Sequence, residues 1–329
     1  MTWGLIARSE PNRGLGVLTR LLRDNLCPDK TLVLTLSDGF VEETSAFPGA
    51  TVMGFAGEID ERAFRAWADG LDTVLLCETF YDWRIVDWCR SAGVRTILYV
   101  MPELLKHELG VTLPSPDEFW YPTTWRLDQC PPGRLLTLPC EARPFVGDPT
   151  GEVRMVHVAG RKALGDRNGT QTVFKALAGM DKRRGPAFTT FTQGSEHELR
   201  PTPRWHQVVA GPADHWEMYD AHVLVMPRRF GGLCLPVVEA LACGMAVVMP
   251  GISPNLDWPV VPVKARERHR YNMPCGPVFT HDTDVVALRA AIVAKSDPDT
   301  AAVEMARARA WVAANTWDVR RDAFLRELT

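Results

Sequence analysis

Residues 230–250, FGGLCLPVVEALACGMAVVMP, combine residue types that suit a phosphate-bearing ligand. A glycine pair and a short apolar run precede Pro236, and a predicted helix carrying Glu239 ends at Gly244 before the apolar run 246–249. Proline is favoured in the first helical turn and glycine at the C-terminal cap. Free N–H groups and the positive end of the helix dipole attract phosphate, and a carboxylate one turn inside the helix suits sugar hydroxyls. The pattern predicts a nucleotide-sugar site.

A second candidate follows the predicted strand 153–158, where Gly160 and Arg161 begin a loop. A guanidinium matches phosphate oxygens and stabilises the charge that builds on a departing nucleotide. An arbitrary loop arginine is usually solvated, but the position on a strand-end glycine loop favours a phosphate clamp. Arg167 and Lys162 share this loop and are expected to contribute.

Each residue near the glycine pair also has a structural interpretation. Glu239 is suited to a ribose diol, but the helix dipole alone also favours a glutamate in this position. Arg228 and Arg229 precede the glycines and either reach a diphosphate or coat the surface. Gly231 and Gly232 allow close approach of the backbone to a ligand, although glycines also serve plain turns.

The first half of the chain offers weaker signals. Gly14 and Gly16 lack the third glycine of the dinucleotide fingerprint, but they are compatible with a loop that admits a ligand. Glu78 and Glu103 end consecutive predicted strands, so both are expected to face a cleft between the domains. Glu103 also follows Pro102 and is equally a helix first-turn residue.

The histidines and one basic run complete the candidates. His107 and His157 are nearest the predicted cleft, although a satisfied core or surface histidine is the commoner case. The segment 264–270, KARERHR, is the densest basic run of the chain. Most such runs are solvated surfaces; the alternative is contact with the phosphates of a polymeric acceptor.

Composition limits the class of protein. The 329 residues suffice for two domains, and 46% hydrophobic with 23% charged residues is typical of a soluble globular protein. The net charge of −3 provides no global attraction to nucleic acid. Apolar runs are too short to span a bilayer and the start lacks a signal-peptide pattern, so a cytoplasmic protein is expected. The eight cysteines have no CxxC spacing, and neither a metal site nor disulfides are expected.

Strand-like and helix-like segments alternate, which is typical of parallel sheets covered by helices. Strands are predicted at 3–7, 31–36, 51–55, 73–77, 95–100, 118–121, 135–138, 153–158, 187–192, 207–210, 222–226 and 246–249. Helices are predicted at 17–26, 60–68, 81–92, 170–178, 215–220, 236–243, 282–294, 300–314 and 317–328. Linker-like composition at 143–149 places a domain boundary near 150. We therefore expect an α/β protein of two Rossmann-like domains, 1–149 and 150–310, with 311–329 as a final helical segment.

Residues 219–227, YDAHVLVMP, and 235–244, LPVVEALACG, together resemble the family 4 glycosyltransferases, which have the GT-B fold. Gly160 and Arg161 resemble the glycine-arginine phosphate clamp of that family, and Gly211 the glycine before its short helix. Weaker similarity extends over the whole chain. The resemblance implies two Rossmann-like domains around a cleft, an acceptor-side first domain, a donor-side second domain, and a last helix that returns to the first domain.

The sequence departs from the family at three places. The first of the paired glutamates falls at Gly231, so only Glu239 is kept, and the lysine before the clamp helix falls at Asn168. Arg167 or Arg229 is a conjectural replacement for that cation. The expected strand-end histidine falls near Pro102 and Glu103. This combination is similar to divergent bacteriophage-encoded glycosyltransferases that decorate phage DNA bases or virion proteins.

The resemblance implies a retaining, metal-independent transfer of a hexose-like sugar from a nucleoside diphosphate, UDP being favoured over GDP, to a hydroxyl acceptor. No cofactor is expected, and modified DNA or a virion protein is the suspected acceptor. Arg161 and Glu103 are the predicted catalytic residues, and Glu78, Glu103 and His107 the predicted acceptor-side residues. The predicted donor-binding residues are Gly14, Gly16, Gly160, Arg161, Arg167, Asn168, Gly211, Arg229, Gly231, Gly232, Leu233, Leu235 and Glu239. Two alternatives stay open: a nucleotide-sugar-binding pseudoenzyme, and a transferase acting on a small molecule or glycan.

Overall fold

A computed structural model describes residues 1–8, 14–36, 47–55, 57–106, 108, 110–145, 151–160, 166–181, 185–193, 205–211 and 215–328. The chain divides into two compact units. Unit 1 comprises Met1–Leu138, Asn272–Gly276 and Trp317–Thr329, and unit 2 comprises Pro139–Tyr271 and Pro277–Thr316.

Unit 1 contains a seven-stranded parallel sheet. Its strands are β1 Trp3–Arg8, β2 Lys30–Leu36, β3 Thr51–Phe55, β4 Thr73–Glu78, β5 Arg95–Val100, β6 Glu118–Tyr121 and β7 Arg134–Leu135. They are arranged in the order β3-β2-β1-β4-β5-β6-β7. The change of direction between β1 and β4 is the topology of a doubly wound sheet, in which ligands bind at the carboxyl ends of the strands.

Three helices of unit 1 alternate with these strands: α1 Gly14–Leu26, α2 Glu61–Ala68 and α3 Arg84–Ser91. Asp60 begins α2 because its carboxylate accepts a hydrogen bond from the Ala63 amide at 2.8 Å. Phe64 and Trp67 form the buried face of this helix. The apolar periodicity of the sequence therefore corresponds to burial against the sheet.

Unit 2 contains a six-stranded parallel sheet. Its strands are β8 Arg154–Gly160, β9 Ala187–Thr192, β10 His206–Ala210, β11 Val223–Val225, β12 Ala246–Pro250 and β13 Val261–Val263. Their order is β10-β9-β8-β11-β12-β13. The helices are α4 Thr170–Ala178, α5 Leu235–Ala242, α6 Val285–Lys295 and α7 Pro298–Asn315. The continuous apolar strands β11 and β12 are buried on both faces, as expected for a covered parallel sheet.

The basic run 264–270 forms part of a β-hairpin. Strand β14, Ala265–Met273, pairs with β15, Gly276–Thr283, and a two-residue turn joins them. The sequence predicted neither strand, because alternating charged residues obscure the apolar pattern. The helix predicted from 282 begins later, at Val285, where the Asp284 carboxylate accepts hydrogen bonds from the Val286 and Ala287 amides.

The last helix, α8 Trp317–Leu328, belongs to unit 1, as the resemblance implied. Phe324 is 1% exposed and lies edge-on to Tyr99 and Trp120. The Arg95 guanidinium donates to the Glu327 carbonyl at 2.7 Å. Within the described residues, no helix is long and apolar enough to cross a membrane.

Two other boundaries differ from the sequence expectation. Helix α3 begins at Arg84 rather than 81, because the Asp82 carboxylate is held by the Ile59 and Arg84 amides. The chain enters unit 2 at Pro139 rather than near 150. The Cys140 amide donates to the Asn315 carbonyl at 2.9 Å, so the chain already packs within unit 2 at Cys140.

His157 is a fully buried residue of β8. Nδ1 lies 2.8 Å from the Val225 carbonyl oxygen, and Nε2 lies 2.9 Å from the Thr170 hydroxyl. Burial lowers the pKa of His157 to about 4, because the charged imidazolium would lose its water. The histidine therefore ties β8 to β11 and α4 as a neutral core residue, in agreement with the commoner interpretation.

The first prediction concerns the anchoring of α8. Phe324→Ala is expected to reduce the free energy of unfolding by about 3–5 kcal/mol, since the ring is buried and leaves a cavity. Val319→Ala, at a position 56% exposed on the same helix, is the matched control. Urea denaturation measures both variants, and an unchanged midpoint for Phe324→Ala would show that α8 is not docked.

The second prediction concerns pH. The folded-state pKa of His157 lies below the unfolded value, so its contribution to stability is present above pH 6.5 and is lost as the pH falls toward 4. Each pKa unit corresponds to about 1.4 kcal/mol, so a loss on the order of 3 kcal/mol is expected. His157→Gln is expected to have a flatter pH dependence of unfolding, whereas the exposed His269→Gln should match the parent protein. Equal slopes for the parent protein and His157→Gln would contradict this assignment.

Candidate functional site

Glu239 is the central carboxylate of unit 2. Its side chain is almost buried, yet each oxygen has a protein partner. The Tyr219 hydroxyl donates a hydrogen bond to Oε2, and His215 Nε2 lies 2.9 Å from Oε1. Burial, and then the charge of Glu239, raise the pKa of Tyr219 well above its usual value. The phenol therefore stays protonated and donates to the carboxylate.

Two elements bring this triad together. Glu239 lies in α5, which has Pro236 in its first turn and a Gly244 turn with φ +73° after its end. His215 and Tyr219 lie on the 3-10 helix His215–Tyr219. A carboxylate oxygen accepts more than one hydrogen bond, so Glu239 keeps acceptor capacity for a ligand diol.

The glycine pair before α5 is also buried. Gly231 has φ +111°, a conformation that residues with side chains rarely adopt. A Cβ atom at this position would lie 2.0 Å from Arg167 Nη2 and 2.6 Å from Arg228 Nη2. Two guanidinium groups therefore occupy the space where a side chain of residue 231 would begin.

Arg228 is 5% exposed. Its Nε donates to the Phe230 carbonyl at 3.1 Å and its Nη1 to the Leu233 carbonyl at 2.7 Å. Sequence analysis left a surface role open for Arg228, but the structure buries it under the glycine turn.

Arg167 reaches the same turn from the other side. Its Nε donates to the Phe230 carbonyl at 3.3 Å, and its guanidinium carbon lies 5.2 Å from the centre of the Phe230 ring. The neighbouring Gly169 packs so closely on Pro227 that an added Cβ would lie 2.2 Å from the Pro227 oxygen. Glycine is therefore required at 169 for the two loops to meet.

Arg229 points elsewhere. Its guanidinium is paired with Asp282 at 2.9 Å and its Nη2 also lies 3.4 Å from the Thr280 hydroxyl. Two arginines were proposed to replace the missing lysine, and Arg167 is the one that lies beside the glycine turn. Arg229 instead connects the loop after β11 to β15.

Asn168 has a structural contact at the end of β8. Its side-chain amide donates to the Val158 and Ala159 carbonyls at 3.1 and 3.2 Å. Gly160, with φ +63°, ends this strand. The predicted clamp residues Arg161 and Lys162 lie outside the described residues. Gly211, with φ +60°, directly follows β10, and its amide donates to the Thr192 carbonyl at 2.9 Å.

The segment leading into α5 presents backbone amides. Leu233 and Leu235 are half-buried, and Cys234 occupies the N-cap position without a side-chain capping hydrogen bond. No described residue accepts a hydrogen bond from the amides of Gly231, Leu233 or Cys234. These N–H groups lie at the positive end of α5, so they suit an anionic ligand group.

The candidates of unit 1 follow the carboxyl ends of the neighbouring strands β1, β4 and β5. Gly14 and Gly16 lie in the first turn of α1 rather than in a loop, which corrects the expectation for this segment. Glu78 ends β4 with φ +72°. Glu103 lies in the 3-10 helix Pro102–Leu104 and is only 5% exposed, so its carboxylate is not presented to solvent. His107 lies outside the described residues.

A groove of about 690 Å³ lies beside α4 and the hairpin of unit 2. Five cations and three carboxylates line it: Lys175, Arg229, Lys264, Arg266, Arg268, Asp166, Asp282 and Asp284. The carboxylates are already held: Asp166 and Asp284 by backbone amides, and Asp282 by two arginines. The basic run is thus the wall of a groove and not only a solvated surface. In the described part of the chain, no three His, Cys, Asp or Glu residues cluster as metal ligands do.

The sequence analysis missed Tyr219 and His215 as partners of Glu239. A usable signal was present, because residues four apart on a predicted helix share a face. It also missed the convergence of Arg167 and Arg228, which are far apart in sequence and meet only through the contact between two loops.

No protein-family model matches the sequence, and a search of curated proteins finds no match. Solved structures do match over the full chain. A glycosyltransferase from Rickettsia africae ESF-5 has a TM-score of 0.72 at 10% identity, covering 99% of this chain and 97% of its own. Anabaena HepE in complex with UDP and glucose has a TM-score of 0.68 at 11% identity. An E. coli structure named "Trehalose-6-phosphate from E. coli bound with UDP-2-fluoro glucose" has a TM-score of 0.63 at 11% identity. Both cover 100% of this chain and 99% of their own. The chain therefore has the GT-B fold, as predicted, with two Rossmann-like units and a C-terminal helix in unit 1.

Proposed function

We propose that this protein transfers a sugar from a nucleoside-diphosphate sugar to a hydroxyl group of an acceptor. The observation that carries the proposal is the Glu239 carboxylate, which is nearly buried and held by Tyr219 and His215 one turn inside a helix that follows a glycine turn. This arrangement offers an acceptor for a diol and donors for a diphosphate within one loop and helix.

We assign the ribose and the diphosphate of the donor to different residues of this loop and helix. Glu239 binds the ribose hydroxyls, and the amides of 231–235 bind the diphosphate together with Arg161 in the loop after Gly160. UDP is the favoured nucleotide; two of the similar structures, the E. coli and Anabaena proteins, are named as complexes with UDP or a UDP-sugar.

The proposed reaction retains the configuration at the anomeric carbon. The bond from that carbon to the diphosphate oxygen breaks while the acceptor oxygen bonds to the same face. The acceptor proton passes to the leaving diphosphate, so no metal ion is required. Arginine at the diphosphate stabilises the charge that develops on the leaving group.

The acceptor is proposed to be a phosphodiester polymer carrying hydroxyl groups, such as hydroxymethylated phage DNA, rather than a virion protein. The groove beside the hairpin supports this choice. Arg266, Arg268 and Arg270 alternate along β14 and all are exposed. Alternate residues of a strand lie roughly 6.6–6.8 Å apart on one face, close to the separation of successive phosphates in an extended strand.

A second candidate function is nucleotide-sugar binding without transfer. It is favoured by the guanidinium of Arg167 in the space beside Gly231, where family 4 enzymes are expected to carry an acid. Binding of UDP-sugars without release of UDP over long incubation would support this candidate over the transferase.

The third prediction tests the donor site. Glu239→Gln is expected to weaken UDP binding about 10- to 100-fold, because a charged acceptor of the ribose hydroxyls is replaced by a neutral amide. Isothermal titration calorimetry measures the affinity. Glu217→Gln, an exposed glutamate on the adjacent 3-10 helix, is the matched control and should bind like the parent protein. Equal affinities for Glu239→Gln and the parent would remove Glu239 from the site.

The fourth prediction tests the acceptor. Binding to hydroxymethylated DNA is expected to weaken steeply with salt, because each neutralised phosphate releases about one counterion. Replacing Arg266 and Arg270 by Gln should reduce the log–log salt slope by about 2, one for each lost phosphate contact. Fluorescence anisotropy at several salt concentrations measures the slope. Absent or salt-insensitive binding would favour a protein, glycan or small acceptor.

A further inference from the structure

The groove beside α4 and the hairpin of unit 2 carries more positive charge than its own carboxylates neutralise. Five cations and three carboxylates line its volume of about 690 Å³, which leaves an excess of two positive charges. A cavity of this size is within the range of roughly 300–1,000 Å³ that ligand sites in proteins have. The charge of the groove therefore favours an anionic ligand.

Each carboxylate of the groove is already held by a structural contact. Asp282 pairs with Arg229 at 2.9 Å and with Arg268 at 3.1 Å. Asp166 accepts hydrogen bonds from first-turn amides of α4, and Asp284 accepts them from first-turn amides of α6. A carboxylate at a helix N-terminus is stabilised by the helix dipole. These three groups therefore hold the walls of the groove in place.

Lys175, Lys264 and Arg266 are the cations of the groove that have no such contact. Among the described residues, none forms an ion pair or a side-chain hydrogen bond with them. The charges of Lys264 and Arg266 contribute to the lowered pKa of Asp284, for which the hydrogen bond from the Ala287 amide is the main cause. All three residues are exposed, so they can pair with an anion that enters the groove.

These three cations come from different elements of unit 2. Lys175 lies four residues after Gln171 on α4, and both line the groove from the same face of the helix. Lys264 and Arg266 lie two residues apart where the chain enters β14, and alternate residues of a strand share one face. A ligand in the groove is therefore contacted by α4 and by the hairpin, and not by a single row of side chains.

The lining of the groove offers charge without a stacking surface. Its apolar members are Ala265, Val285 and Val286, and none of the described residues that line it carries an aromatic ring. Sites that hold single-stranded nucleic acid by its bases use aromatic side chains for stacking. This groove therefore suits the backbone of a polymer and not its bases.

We propose that the groove binds two successive phosphates of one strand of the acceptor polymer, through Lys175 on α4 and through Lys264 and Arg266 at the hairpin. Two phosphodiester charges neutralise the excess of two positive charges. This inference rests on the proposed function, and it specifies the acceptor as a single strand that is recognised without reading its bases.

The position of the cations on two elements favours a single strand over a duplex. A single strand exposes each phosphate on several sides, whereas the paired bases of a duplex cover the inner side of each phosphate row. A positively charged groove that follows the backbone is a common way for proteins to bind a single strand without sequence preference.

The test measures polymer binding to the full chain by fluorescence anisotropy with three labelled probes of equal length. They are a single-stranded hydroxymethylated oligonucleotide, an abasic oligonucleotide with the same phosphates, and a hydroxymethylated duplex. The single-stranded and abasic probes are expected to bind within about twofold of each other, and the duplex at least about tenfold more weakly.

Lys175→Gln separates the groove from the exposed arginines of β14, because Lys175 lies on α4. This variant is expected to lower the log–log salt slope for the single strand by about 0.7, the value for one lost phosphate contact on a single strand. Arg62→Gln removes the same charge from an exposed position on α2 and should leave the slope unchanged. Both residues are exposed, so neither substitution is expected to affect folding.

Several results would overturn the inference. An unchanged slope for Lys175→Gln would place the phosphates on β14 alone. Equal binding of the duplex would reject the single strand, and weaker binding of the abasic probe would show that the bases are read.

Isothermal titration of UDP separates these results from a failure of the proposed function. Binding of UDP without binding of any probe would reject the phosphate groove and the polymer acceptor, and would leave the donor site intact. Absence of UDP binding would reject the donor site itself.

Discussion

The contact between the loop before α4 and the loop after β11 determines the geometry of the candidate site. Gly169 packs against the Pro227 carbonyl, and the Arg229 amide donates to the Arg167 carbonyl at 2.8 Å. These two contacts join loops that follow neighbouring strands of the parallel sheet. Because the loops are joined, the Arg167 side chain reaches the glycine turn, and the turn leads directly into α5. A side chain at 169 would separate the loops and withdraw Arg167 from Gly231.

The position of Glu239 depends on a different constraint, the cost of a nearly buried charge. A carboxylate in such a place needs donors, and Tyr219 and His215 provide them from one face of a short helix. These partners fix the side chain before any ligand arrives. A preorganised acceptor loses less freedom on binding than a mobile surface glutamate does. With the hydrogen bonds from Tyr219 and His215 in place, a ligand diol can bind Glu239 only through the lone pairs of the carboxylate that these partners do not use.

Local patterns predicted much of the fold and only part of the site. The strands predicted at 222–226 and 246–249 correspond to β11 and β12, because continuous burial in a parallel sheet requires apolar residues. The hairpin from Ala265 was missed, since its exposed strand carries charges in place of an apolar face. Glu239 was found from its helix position, whereas the Arg167–Arg228 convergence depends on a tertiary contact between loops. No spacing rule encodes such a contact, and the glycine at 231 suggested only a missing acid.

The filled space at Gly231 bears on whether the site is active or has lost its function. A Cβ atom at residue 231 would lie 2.0 Å from Arg167 Nη2 and 2.6 Å from Arg228 Nη2. This turn holds a buried arginine whose desolvation costs several kcal/mol without an anion, and proteins have only about 5–15 kcal/mol of net stability in all. The Phe230 and Leu233 carbonyls offset part of this cost by accepting hydrogen bonds from the guanidinium. Two carbonyl contacts that hold a nearly buried arginine indicate a specifically packed turn rather than an unstructured remnant.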